Sequence, residues 1–415
     1  MNAYESNKEL LIQYFKNGSK KEDEQKLGVE VEHFIVKRQS LEAVSYYGPR
    51  GVEYILECLS PLYPYRFEED GHLLGLYNDD YSLSLEPAGQ LEISINPQKD
   101  IDTVEQIYNK LLKQLKPLLR ENNYQLVTLG YQPKSVVSKL RLIPKKRYEY
   151  MDKYFATVGT GGIHMMRGTS STQVAIDYTN EADFILKYRV AYILMPLLAL
   201  LMDNSPIYKG AQYNGYLLRN NIWERVDADR AGMIKGLFDD DFGFAKYAEH
   251  LMDLPLIFMP DDDKETYVGE KTIQDIKPEE ILNVEDIDHV LSMTFLDIRL
   301  KNYVEIRFAD SLPFEYVKGY MALIKGIFYN DKLLNKIINT YKADEITIQD
   351  AKDNISEHGF EGMAYGHKAQ ELLKVLLTEA KTILNREECE MIEPLEEIIE
   401  NSKTLAEEYN EKTIS

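Results

Sequence analysis

The stretch Ser84–Ser94, Ser-Leu-Glu-Pro-Ala-Gly-Gln-Leu-Glu-Ile-Ser, places Glu86, Gln90 and Glu92 on one parity and Leu91, Ile93 and Ile95 on the other. Side chains alternate sides along a β-strand, so the stretch reads as a strand with one acidic and one aliphatic face. A solvated edge strand gives the same alternation. Three further stretches repeat it, however. In Leu27–Val36, Glu30 and Glu32 oppose Val29, Val31 and His33. In Ser171–Asp177, Gln173, Ala175 and Asp177 oppose Val174 and Ile176. In Asp297–Asp310, Glu305 and Arg307 oppose Val304, Ile306 and Phe308. His33 shares the apolar parity and is expected in the core rather than at a ligand.

The rest of the chain supplies covers and connections. Residues 3–26 predict an amphipathic helix, 103–122 a helix lying on one sheet face, and 180–202 a long apolar helix capped by Thr179 or Asn180. Residues 40–80 predict a helix and a hairpin between loops, and 260–290 helix and loop. From Pro313 onward the pattern is helical almost to the end. No Pro/Gly/Ser linker and no repeat interrupts the 415 residues, so one catalytic domain over 1–415 is expected, with its helical part packed on the sheet.

Composition excludes several functions. A formal charge of −21 argues against a general nucleic-acid binder. Two distant cysteines, Cys58 and Cys389, provide no disulfide framework. The apolar run Ala191–Met202 contains Pro196 and falls short of a membrane span, and the N-terminus lacks the order of a signal peptide. A cytoplasmic enzyme is therefore expected. Gly159-Thr-Gly-Gly-Ile-His164 has no P-loop lysine and no G-x-G-x-x-G order. The one basic patch, 133–150, includes Lys146 and Arg147; it reads either as a solvated face or as the neighbour of a polyanion such as a nucleotide.

If the four strands are neighbours, Glu30, Glu32, Glu86, Glu92 and Glu305 line one side of an antiparallel sheet with Gln173 and Arg307. Carboxylates gathered in this way are costly without a cation. An all-oxygen donor set suits Mg²⁺ or Mn²⁺ rather than zinc. The chemistry this suggests is metal-assisted phosphoryl transfer, with Arg307 stabilising charge on the transferred group. A cross-strand salt bridge between Glu305 and Arg307 is the competing structural reading.

An ordered set of motifs then carries a resemblance. Gly28-Val-Glu-Val-Glu-His, the stretch at Ser84, Arg147-Tyr-Glu-Tyr-Met, Met165-Met-Arg, Thr172-Gln-Val, Asn204-Ser-Pro, Arg219-Asn-Asn-Ile-Trp, Asp229-Arg-Ala-Gly-Met and Arg299-Leu-Lys-Asn-Tyr-Val-Glu-Ile-Arg-Phe-Ala-Asp together resemble the plant-type glutamate–cysteine ligase family. The resemblance spans roughly residues 28–310. It implies an α+β, glutamine-synthetase-like catalytic fold, an antiparallel sheet funnel with packed helices. It also implies ATP-dependent ligation of the γ-carboxylate of glutamate to the amine of cysteine through an acyl phosphate, the first step of glutathione biosynthesis, in a monomer or homodimer that binds neither nucleic acid nor membrane. Carried over by motif, Glu30, Glu32, Glu86, Glu92 and Glu305 become metal ligands, and Arg307 and Gln173 become catalytic groups. Arg307, Lys146 and Arg147 become nucleotide contacts, and Arg167, Arg219 and Arg230 substrate contacts. One departure leaves the acceptor amine open, because Pro255-Leu-Ile-Phe258 has Ile257 where the family has an aromatic. A related carboxylate–amine ligase with another acceptor, or a non-catalytic nucleotide- or amino-acid-binding relative, are the alternatives.

Overall fold

A strand whose odd residues are Val29, Val31 and His33 has to bury that face, and β1 (Leu27–Lys37) does so at the centre of a nine-stranded sheet. The computed structural model describes residues 2–261 and 264–414. The other strands of the sheet are β2 (Tyr65–Glu69), β3 (His72–Tyr77), β4 (Tyr81–Leu85), β5 (Leu91–Gln98), β6 (Tyr124–Val127), β7 (Ser171–Ile176), β8 (Ile298–Leu300) and β9 (Val304–Asp310). Their order is β8-β9-β7-β1-β5-β4-β3-β2, with β6 on the far end of β1, and every neighbouring pair is antiparallel. The four alternating stretches are therefore contiguous.

Ser84–Ser94 is not one strand. It is a hairpin in which β4 and β5 are joined through Glu86–Gln90. Pro87 lacks an N–H for a ladder, and Gly89 takes a φ of 86°, a conformation that favours glycine. The turn closes with Glu86 N–H donating to the Gln90 carbonyl at 2.9 Å and Gly89 N–H to the Glu86 carbonyl at 2.8 Å.

Helices cover the aliphatic face. Helix Ile101–Glu121, capped by the Asp100 carboxylate on Thr103 N–H, buries Val104, Leu111, Leu112, Leu115 and Leu119 against β5 and β6. Helix Glu181–Leu201, capped by Asn180, packs on β8 and β9. It is long and apolar enough to cross a membrane, yet 83% of that apolar window is buried inside the protein, as expected of a core helix. Helix Phe314–Phe328 lies against β1 and β7 and is covered in turn by helix Arg386–Asn401.

Two helical expectations shorten. The first helix, Ala3–Asn17, ends at Gly18 rather than running to residue 26, because the chain there meets Tyr178 and Asn302 so closely that a Cβ would lie 2.5 Å from Tyr178 Oη. Residues 260–290, expected as helix and loop, open with a small hairpin, Phe258–Asp261 with Lys264–Tyr267; Asp262 and Asp263 lie outside the described residues.

Candidate active site

Register places the acidic groups in rows. Glu32 pairs directly with Glu92, which pairs with Ser84; Glu30 lies between Ser94 and Gln173; Glu305 faces Ala175. Directly opposed residues share a face, so the whole set looks out on the side the helices leave open. There a cavity of about 290 Å³ is lined by Glu30, Glu32, Glu86, Glu92, Gln173 and Arg307, with Lys145, Arg147 and Trp223 among the residues closing it.

These carboxylates differ in what holds them. Glu32 accepts Ser171 N–H at 2.8 Å, Ser171 Oγ–H at 2.7 Å and Gln173 Nε2–H at 3.2 Å. Glu92 accepts the Ser84 and Ser94 hydroxyls at 2.7 and 3.1 Å. The side-chain carboxylates of Glu30 and Glu86 make no hydrogen bond or ion pair among the described residues. Burial, followed by the charges of Glu92 and Glu305, pushes the Glu30 carboxyl up to about 8. Burial, followed by Glu92 and Glu32, does the same for Glu86, again to about 8. Glu32 and Glu92 are raised too, chiefly by burial. Glu305 is the contrast: burial opposes its ionisation, but Arg299 at 2.7 Å, Lys301 at 3.2 Å and Arg307 at 2.8 Å overcome it and hold the carboxyl well below the usual range.

Among the described residues, no three carboxylate, imidazole or thiol groups stand close enough together to hold a metal as they are. The donor set nevertheless fits a hard cation. Four carboxylates face one cavity, Glu32 buried and Glu30, Glu86 and Glu92 half-buried; among the described residues none of them forms an ion pair, and two accept no hydrogen bond. Glu305 fits less well, because its oxygens are already taken by three cations.

The cations are distributed differently from the sequence expectation. Arg307 is in the cavity, bonded to Glu305 and to Gln173 Oε1, with its guanidinium 5.8 Å from the Trp223 ring. Arg147 also lines it, 5.6 Å from the Phe258 ring, and among the described residues forms no ion pair, and its Nε is buried without a partner. Lys146 does not line it: the side chain is exposed and bonded to Glu149. Its neighbour Lys145 points inward instead, 5.1 Å from the Tyr148 ring, and burial followed by Arg147 lowers its pKa.

None of the three arginines assigned to substrate carboxylates lines this cavity. Arg167 pairs with Asp152 at 2.6 Å and bonds the Leu140 carbonyl. Arg230 is completely buried, paired with Asp227 at 2.6 Å and bonded to Tyr154 and the carbonyls of Met293 and Pro255. Arg219 lies beneath the cavity, where it donates to the Arg307 carbonyl at 3.0 Å and sits 5.1 Å from Trp223. Arg167 and Arg230 each have a carboxylate and at least one carbonyl in reach and so are committed to the fold, whereas Arg219 has one carbonyl and the Trp223 ring, with its Nε buried without a partner among the described residues.

Lys145, Arg299 and Trp223 join the site without having been assigned to it. A signal for Lys145 did exist, in the basic patch. His33 meets its expectation, buried with its ring nitrogen Nε2 2.8 Å from Tyr108 Oη. The glycine run is no phosphate cradle, because the N–H groups of Thr160 and Gly161 donate to the Arg225 carbonyl. Ile257 is buried in the core and does not line the cavity; its carbonyl accepts Val268 and Gly269 N–H.

Comparison with known proteins identifies the family. The chloroplastic glutamate–cysteine ligase of Medicago truncatula is 31% identical over 91% of this chain and 81% of its own length. That of Arabidopsis thaliana is 33% identical over 80% of this chain and 65% of its own length. A glutamate–cysteine ligase of Francisella tularensis, solved in complex with AMP, superposes with a TM-score of 0.59 at 11% identity over 93% of this chain and 84% of its own, and so shares the fold. The cytoplasmic expectation is corrected by these names, because the relatives matched are chloroplastic proteins. The family model of glutamate–cysteine ligase family 2 matches residues 26–412, and the chain belongs to that family, an enzyme that makes γ-glutamylcysteine.

Proposed function

We propose that the open face of the sheet carries out the ligation in two steps at fixed positions. Glutamate's γ-carboxylate attacks the terminal phosphorus of ATP, ADP leaves, and the amine of cysteine displaces phosphate from the acyl phosphate. The observation that carries this reading is the coexistence, in one cavity, of carboxylates without offsetting charge and cations without carboxylate partners.

Glu30, Glu32, Glu86 and Glu92 are the residues that would hold Mg²⁺, which when bound neutralises phosphate charge and orients the transferred group. Lys145 and Arg147, the uncommitted cations, take the anionic ends of substrate, a task for which a guanidinium fork suits a carboxylate or phosphate. Arg307 stays oriented by Glu305, Gln173 and the Trp223 ring, and so presents a fixed positive charge to the transferred phosphoryl group. Glu305 is better placed to hold Arg307 than to bind metal. Arg219 supports both Arg307 and Trp223 from below. Holding both reactants over one rigid sheet makes the second step effectively unimolecular. The described chain, including its C-terminal helices, is proposed to work as one catalytic unit.

The test is phosphate release from Mg²⁺-ATP with glutamate and each of a panel of amines. Release that depends on cysteine supports the reading. Release with another amine alone reassigns the acceptor, and no release with any amine overturns the reading.

A further inference from the structure

Lys352 is 2% exposed, and the two-step ligation gives it no task. It belongs to helix Glu345–His358, in the C-terminal part of the chain, and it lies outside the cavity. A buried ammonium is costly unless an anion meets it, and Lys352 Nζ meets the Glu224 carboxylate at 3.0 Å. Glu224 directly follows Trp223. Lys352 also serves Asp297: burial pushes that carboxyl up, and Lys352 is foremost among the charges that pull it back. The Asp297 carbonyl in turn accepts Arg307 N–H at 3.0 Å. One ammonium therefore faces both the residue after Trp223 and the backbone partner of Arg307.

Helix Leu218–Trp223, which carries Arg219 and Trp223, is too short to hold itself. Leu217, just before it, has a φ of 57°, a left-handed conformation that a leucine adopts only at a cost. Its neighbours must hold it. Toward the sheet, Arg219 donates to the Arg307 carbonyl at 3.0 Å, and Asn220 Nδ2–H to the Phe308 carbonyl at 3.2 Å. Trp223 Nε1–H donates to Thr169 Oγ1 at 3.3 Å, with the guanidiniums of Arg219 and Arg307 5.1 and 5.8 Å from its ring. Away from the sheet, Asn221 Nδ2–H donates to Ser356 Oγ at 2.7 Å, beside the Glu224–Lys352 pair. Asn221 and Glu224 are three residues apart and Lys352 and Ser356 four, so each pair shares one helical face. Tyr216 N–H donates to the Ser356 carbonyl at 3.1 Å, and a Cβ on Gly359 would lie 2.4 Å from Tyr216 Cζ. The grip on this helix thus comes from the C-terminal part.

We infer that Lys352 is a positioning residue for the ligation: through Glu224 and Asp297 it fixes the helix that carries Trp223 and Arg219, and with it the orientation of the Arg307 guanidinium. The inference rests on the ligase reading for the role of Arg307. It gives the C-terminal helices a part in turnover, although none of their described residues lines the cavity.

The test uses the full chain, with its single tryptophan, Trp223, as reporter. Lys352→Met keeps the apolar stem and removes the charge. Well below the melting temperature, kcat for phosphate release is expected to fall about ten-fold or more, with the KM for ATP, glutamate and cysteine each within about two-fold of wild type. Trp223 emission is expected to shift, and its quenching by acrylamide to rise. Should Lys352→Met not fold, Glu224→Gln decides. The Glu224 side chain is 39% exposed, so this change leaves the core alone, and it should lower kcat about three-fold or more with the same change in emission. A lowered melting temperature with wild-type kcat and emission overturns the inference, as does a raised KM at unchanged kcat. Emission is read without substrates. Absence of phosphate release from the wild type would therefore sink the ligase reading by itself, while the emission of the variants still decides whether Lys352 holds the Trp223 helix.

Discussion

The two faces of β1 differ by one residue of offset and by almost everything else. Val29, Val31 and His33 are 2%, 0% and 0% exposed under the helices. Glu30 and Glu32, between them, face a cavity and carry raised carboxyl groups. One face contributes stability through burial of aliphatic surface, and the other holds charge that apolar packing alone would never favour. The active face is an electrostatic liability tolerated because the opposite face is so well packed.

The largest effect should come from breaking the packed face. Val31→Asp puts an unpaired charge at a fully buried position, at a cost of several kcal/mol, roughly 3–5. The variant should fail to give soluble, cooperatively melting protein; a wild-type melting curve would refute the assignment of that face as core.

Next comes the charged face. Glu92→Gln keeps side-chain volume and removes one of two directly opposed carboxylates, so turnover should fall by about two orders of magnitude or more while the melting temperature stays level or rises. Phosphate-release kinetics and calorimetry on the same preparation read both. Wild-type turnover would remove Glu92 from the site.

The cations sharpen the contrast between groups in the cavity and groups in the frame. Arg147→Ala should raise a substrate KM by ten-fold or so, with little change in melting. Arg230→Ala strands Asp227 and the carbonyls it bonds, so it should instead lower the melting temperature markedly. If the two variants exchange these outcomes, the assignment of committed and uncommitted arginines is wrong.

The smallest effect is in pH, and the two faces titrate in opposite senses. Glu30 and Glu86 ionise near 8 in the folded chain against 4.5 ordinarily, so the folded state keeps protons that the unfolded state releases. Their contribution to stability is full below about 4.5 and is lost as pH rises to about 8. His33 is the reverse. Burial lowers it from 6.5 to about 4, so its contribution is lost as pH falls through that window. Melting temperatures in EDTA should therefore decline from pH 6.5 toward 8, and Mg²⁺ should flatten that decline by binding the ionised carboxylates. A decline of equal slope with and without Mg²⁺ would count against Glu30 and Glu86 as cation ligands.

Much of this was legible in the chain because a strand's period of two is local. Glu30, Glu32, Glu92, Gln173 and Arg307 could be assigned to one face without knowing any partner, and His33 to the other. The hairpin at Glu86–Gln90 was less legible, since the parity of its residues mimics a continuous strand and the turn shows in the Glu86–Gln90 and Gly89–Glu86 hydrogen bonds and the positive φ of Gly89. Glu86 reaches the cavity from that turn rather than from a strand.

Which cations line the cavity was legible only in part: Arg307 and Arg147 were assigned to the site and line it, but Lys146 was assigned in place of Lys145. Lys145 and Lys146 are adjacent and chemically identical, yet the helix beginning at Lys146 turns one to solvent and leaves the other facing Glu86. Arg167, Arg219 and Arg230 sit in motifs as suggestive as that of Arg147, and each bonds groups far away in the chain, Asp152 and the Leu140 carbonyl, the Arg307 carbonyl, and the Pro255 and Met293 carbonyls respectively. Motif order pointed to the family and backbone geometry set the parity of the acidic rows, while the acceptor amine stayed open at Ile257. Tertiary structure decided which charges are free, because a long cationic side chain is committed or available according to the carboxylates and carbonyls within a few ångströms, and no spacing along the chain encodes that.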